Sequence, residues 1–237
     1  YIGEDDYVCL SKDRYRIYFP LKETDLDLVG VYRALVRAER KFRELCGYES
    51  DEILVEICRE NEFRDRFAEK GVSFASWVEG VESGGIRLWI SQLKGKEPQY
   101  VGVVVTHEYV HYALRKLTDD SCPFWLSEGL AVYLSQELPS RFREILCKAV
   151  EEGRYFELEL LERGGEILKQ GEDIRVLVVA ECESVVRYLI ERLGKENFAR
   201  WVGKISFFGA ERALEEFGLN YYLLEKAWLR WVKSKDY

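Results

Sequence analysis

The 237-residue chain has no methionine, four prolines and only two histidines, so any chemistry that needs imidazole rests on a single pair of side chains. Long apolar runs are missing too. None approaches the roughly 20 residues of a membrane-spanning helix, which excludes a transmembrane segment. Positive charge is in deficit, with 35 Lys and Arg against 43 Asp and Glu and a net charge of −8. A general attraction to nucleic acid or anionic lipid is therefore not expected. The six cysteines (Cys9, Cys46, Cys58, Cys122, Cys147, Cys182) form no CxxC pair and no dense disulfide framework. They read as mostly free, buried thiols, with Cys122 of interest because it follows the histidines closely. A chain that begins at Tyr1 without methionine points to residues removed upstream, at a processed leader or an artificial boundary. The compartment stays open between the cytoplasm and export after removal of a leader.

What is present fits an ordinary globular protein, 47% hydrophobic and 33% charged, long enough for one large domain or two small ones. Arg14 to Phe19, Glu52 to Cys58 and Ile86 to Ile90 alternate in polarity and predict strands. Between the first two, apolar residues from Leu28 to Leu45 recur at helical spacing, and Cys46-Gly47 marks the end. Three glycines between Gly80 and Gly85 predict a turn into the Ile86 strand. From Pro98 onward the pattern is helical: one helix through Leu114, a loop at Thr118 to Ser121, and a second helix from Pro123 that ends before Pro139. Further helices are expected over Arg141 to Glu152, Ile174 to Leu193, Lys195 to Val202, Ala210 to Phe217 and Tyr222 to Lys233. The fold class is thus α+β, an N-terminal mixed β-sheet with helices over residues 1–80 followed by a mainly helical part over 81–237.

Both histidines fall in one run, His107-Glu108-Tyr109-Val110-His111. Four residues is about one helical turn, so the two imidazoles share a face and can serve one ion. Glu108 is offset by one position, where a general base for a metal-activated water belongs. Accidental occurrence is improbable when the chain has no other histidine. A di-iron carboxylate bundle, which uses Glu-x-x-His twice, would need a second histidine-bearing motif that this chain lacks.

Two imidazoles leave a catalytic zinc short of one protein ligand, which must be a carboxylate or a thiolate. Asp119, Asp120, Cys122, Glu128 and Glu137 are all near in sequence. The setting of Glu128, Trp125-Leu126-Ser127-Glu128-Gly129-Leu130-Ala131, resembles the third-ligand segment of the gluzincins, the peptidase MA superfamily. The small Gly129 and Ala131 would allow close helix approach. The stretch Ser184 to Gly194 resembles a later helix of the smaller members, and Ala213 to Trp231, with Glu225 to Trp228, is similar to their closing helices. The resemblance covers about residues 85–237, whereas residues 1–80 carry no family signature.

This resemblance implies a thermolysin-like gluzincin core with Zn2+ on His107, His111 and Glu128. Glu108 would be the base in peptide-bond hydrolysis, and a peptide or protein the substrate. It also implies that the strand Ile86-Arg87-Leu88-Trp89 is an edge that pairs with an extended substrate, through main-chain hydrogen bonds. Two departures stand out. The motif with which gluzincin aminopeptidases hold a substrate amino terminus is absent. Val178-Val179-Ala180 occupies the place where smaller relatives often carry a tyrosine suited to oxyanion stabilisation, whose loss costs about a hundredfold or more in rate. The alternative implied is a catalytically weak or inactive zinc-binding domain that recognises peptides.

Overall fold

A computed structural model describes residues 7–23, 25–59, 85–136 and 141–234. The chain divides into two compact units, Tyr1–Glu39 with Glu49–Tyr112, and Arg40–Tyr48 with Ala113–Tyr237. The architecture is α+β, a four-stranded mixed sheet followed by a mostly helical remainder.

In the first unit, strands β1 (Tyr7–Lys12) and β2 (Tyr15–Pro20) form an antiparallel hairpin. Its tight turn holds Asp13 at a φ of 51°, a left-handed conformation that aspartate tolerates better than most residues. Helix α1 (Leu28–Cys46) then carries the chain over to β3 (Ile53–Cys58), which lies parallel to β2, as a crossover connection requires. Asp27 starts this helix by accepting a 2.9 Å hydrogen bond from the Gly30 amide. Strand β4 (Ile86–Trp89) pairs parallel with β3, giving the order β1-β2-β3-β4. Alternate residues point inward, so Ile53, Val55, Ile57, Ile86 and Leu88 are buried, as are Val31, Ala34, Leu35 and Ala38 of α1. Strands β2, β3 and β4 lie where alternation predicted them. Strand β1 was not expected, and of the predicted Gly80 to Gly85 turn only Gly85 lies among the described residues.

Helix α2 (Pro98–Thr118) contributes residues 98–112 to this unit, with Val101, Val105, Tyr109, Val110 and Tyr112 buried. It ends at Asp119 and Asp120, both left-handed at φ 50° and 58°.

The second unit contains α3 (Phe124–Ser135), α4 (Arg141–Glu151), α5 (Glu172–Leu193), α6 (Lys195–Val202) and α7 (Tyr221–Lys233). Short turns at Leu158–Leu161, Gly164–Gln170, Ile205–Phe208 and Ala210–Leu214 connect them. The expected helices are present with two differences: α5 starts at Glu172 rather than Ile174, and the helix expected over Ala210 to Phe217 is one α-helical turn at Ala210–Leu214 followed by a 3-10 turn at Glu215–Phe217. Trp125 of α3 is fully buried and stacks on Trp201 at 6.0 Å between ring centroids. Burying such rings is worth about 1.5–3 kcal/mol each or more. The Glu225 to Trp228 pattern has a structural role: Glu225 accepts from the Leu158 amide at 3.1 Å, and the Trp228 indole donates to Ser184 Oγ at 2.9 Å. No disulfide joins any two of the six cysteines, all of which lie among the described residues: Cys46, Cys58 and Cys182 are buried, Cys122 and Cys147 partly buried, and Cys9 exposed.

Candidate metal centre

Helical geometry alone brings His107 and His111 together on α2. Their Nε2 atoms are 3.0 Å apart, with ring centroids at 4.7 Å. An ion about 2.0–2.1 Å from each nitrogen would see them at roughly 95°, compatible with a single coordination sphere. Glu108 follows directly and is partly buried.

The third donor comes from α3. One ligand atom each of His107, His111 and Glu128 lies within 4.8 Å of the others, and all three residues are half-buried. Among the described residues this is the sole cluster of three or more His, Cys, Asp or Glu side chains that could hold a metal ion. Asp119, Asp120 and Cys122 stand outside it. Asp119 and Asp120 are exposed, and the Cys122 thiol is directed to the Pro123 carbonyl at 3.6 Å. Glu137 lies outside the described residues. Two imidazoles and a carboxylate are a donor set suited to a borderline divalent ion, and three protein ligands leave a coordination position for water or substrate.

What fixes Glu128 is its neighbour. A Cβ at Gly129 would fall 2.2 Å from the Cys182 carbonyl oxygen and 2.7 Å from Val186 Cγ2. Helix α3 therefore rests on the backbone of α5 at a point where only glycine fits. The Glu128 carboxylate, together with burial and Glu181, raises the Cys182 thiol well above its ordinary range; burial is the largest cause. Sequence reasoning marked Gly129 as a site of close approach without naming α5 as the partner.

Strand β4 ends the sheet, since it has a neighbouring strand on one side only among the described residues. The Ile86 and Leu88 side chains are buried, at 2% and 0% exposure. Arg87 is half-buried and reaches Glu56 on β3 at 3.1 Å, and the Trp89 amide donates to Gln92 Oε1 at 3.1 Å. Val178 and Ala180 are buried in α5, and Val179 is half-buried.

Two imidazoles one turn apart and a carboxylate from the next helix form a group that could hold a metal ion, with a glutamate beside the first histidine. The model of the peptidase MA superfamily matches residues 69–234, about 70% of the chain, and the chain belongs to that superfamily. No curated protein matches it.

Proposed function

We propose that the protein is a zinc metallopeptidase with a thermolysin-like gluzincin core, in which His107, His111 and Glu128 hold Zn2+. The convergence of those three side chains beside Glu108 carries this reading. Zinc supplies Lewis acidity and lowers the pKa of a bound water to about 7. With zinc held there, Glu108 would serve as the base that takes the attacking water's proton and as the acid that returns a proton to the departing amine. An extended peptide aligns along β4, the end strand of the sheet among the described residues. Because Ile86 and Leu88 are turned into the core, that edge holds substrate through backbone groups, and side-chain preference comes from elsewhere.

Metal analysis with a peptidase assay tests the assignment. Glu108→Gln should keep stoichiometric zinc and lose at least a hundredfold in kcat. A wild-type protein that takes up no zinc, or a variant that cleaves at the wild-type rate, overturns it. One observation supports a second reading, a zinc domain that binds peptides without turnover: Val178, Val179 and Ala180 offer no hydroxyl where an oxyanion donor is expected. Peptide binding by zinc-loaded wild type without any cleavage would favour that reading.

A further inference from the structure

A cleft of about 370 Å³ opens in the second unit, lined by the C-terminal part of α1, by α3 and α5, and by the first residue of α6. None of His107, Glu108, His111 and Glu128 lines it. Small-molecule sites run from about 300 to 1,000 Å³, so the space suits a ligand of modest size.

The charged lining sets Lys41, Arg187 and Lys195 against Glu44 and Glu183, one positive charge in excess. The three cations are held differently. Glu183 is only 4% exposed and pairs with the Arg187 guanidinium, which lies 5.1 Å from the centre of the Tyr133 ring. A guanidinium held by a carboxylate and an aromatic face is a fixed wall, and the buried carboxylate has its counter-charge there.

Lys41 instead donates to the Leu134 carbonyl at 2.9 Å. Leu134 stands in the last turn of α3, where carbonyls lack an amide partner within the helix. Such a bond orients an ammonium without neutralising it, and it occupies one of three N–H donors. Lys195 is exposed at the first position of α6. Among the described residues neither lysine has a carboxylate partner. Leu45 and Val132 add apolar lining to the same cleft.

We propose that this cleft binds a small monoanion, a carboxylate carried on an apolar body. Lys41 and Lys195 take the carboxylate, and Leu45 and Val132 meet the body. The single excess charge selects a monoanion, since a dianionic phosphate monoester would leave surplus negative charge in a cleft that already holds Glu44 and Glu183. The C-terminus of a short peptide and a short fatty acid share this chemistry. The site does not depend on zinc.

Calorimetric titration with N-acetyl-phenylalanine, its neutral amide and octanoate tests the proposal. The protein is titrated as purified and again after chelator treatment, which separates a carboxylate in the cleft from one on a metal. At least one acid should bind, with and without metal alike, and the amide about tenfold or more weaker than its acid. The tighter acid identifies the body as peptide-like or aliphatic. Lys195→Glu and Lys41→Met should each weaken that acid about tenfold or more, and Lys195→Arg should retain it. Lys169→Glu makes the same change in net charge at an exposed position outside the cleft and should leave binding unchanged. Failure of both acids to bind, equal binding of acid and amide, or wild-type affinity in both Lys195→Glu and Lys41→Met overturns the inference. Binding that vanishes with the metal places the acid on the metal centre and overturns it as well.

Discussion

The two helices that carry the metal donors are held in opposite ways. Helix α2 is tied to its sheet by a directional bond, the Tyr112 hydroxyl donating to the Glu52 carbonyl just before β3 at 2.8 Å. Helix α3 is backed by the absence of a side chain, at Gly129 against the Cys182 carbonyl. The first arrangement sets rotation through directional bonds. The second sets depth through contact, which packing enforces without any polar atom. Substitutions should therefore be graded in their effect behind α2 and nearly all-or-none behind α3.

The sharpest break in that contrast is Gly129→Ala. Its new methyl group meets backbone that cannot rotate away, so we expect a loss of more than about 3 kcal/mol, or no folded second unit, in urea titrations. A loss below about 1 kcal/mol would show that α3 can lift off α5.

Next in size is a pH effect from α5. Glu181 is fully buried and pushed up to about 8, chiefly by burial and further by Glu225, although the Phe156 amide opposes the shift. Its folded pKa thus exceeds its unfolded one, and the folded state holds the extra proton. Stability from this group is fully present below about 4.5, falls as pH rises, and levels off above about 8. Melting temperatures between pH 5 and 8.5 should decline in wild type, and more shallowly in Glu181→Gln. Equal slopes would remove Glu181 as the cause.

Tyr112→Phe deletes one hydroxyl behind α2 and should cost about 1 kcal/mol, the usual worth of a buried hydrogen bond, with the helix otherwise intact. Smallest of all is the exposed Arg40 and Glu44 pair at 3.8 Å. Glu44→Gln should change unfolding free energy by no more than about 0.5 kcal/mol.

Much of this was legible in the sequence wherever the cause is local. His107 and His111 converge because a helix places residues four apart on one face, and β3 reads out because its alternation follows the sheet's own period. Strand β1 escaped because its side chains are mostly exposed and its turn, Asp13-Arg14, lacks the glycine that usually announces a tight hairpin. The short turns at 158–161 and 205–208 hold too few residues to show any period. Glu128 was legible through its resemblance to a known segment, since five acidic or thiol residues competed on spacing alone. The hydrogen bond from Tyr15 to the buried Glu39 could not be read at all. It joins a strand and a helix through residues far apart in the chain, and a buried glutamate looks in sequence like any other on an amphipathic helix.

Gly129 bears on how such a protein can change over evolutionary time. If the half-buried Glu108 is the base proposed above, catalysis could be shed by one substitution there and the scaffold inherited. Position 129 allows no comparable drift, because every other amino acid brings a Cβ into the Cys182 carbonyl. In a lineage that had given up hydrolysis, the glycine after the third ligand would outlast the catalytic base, and a dipeptide of glutamate and glycine would mark ancestry rather than activity.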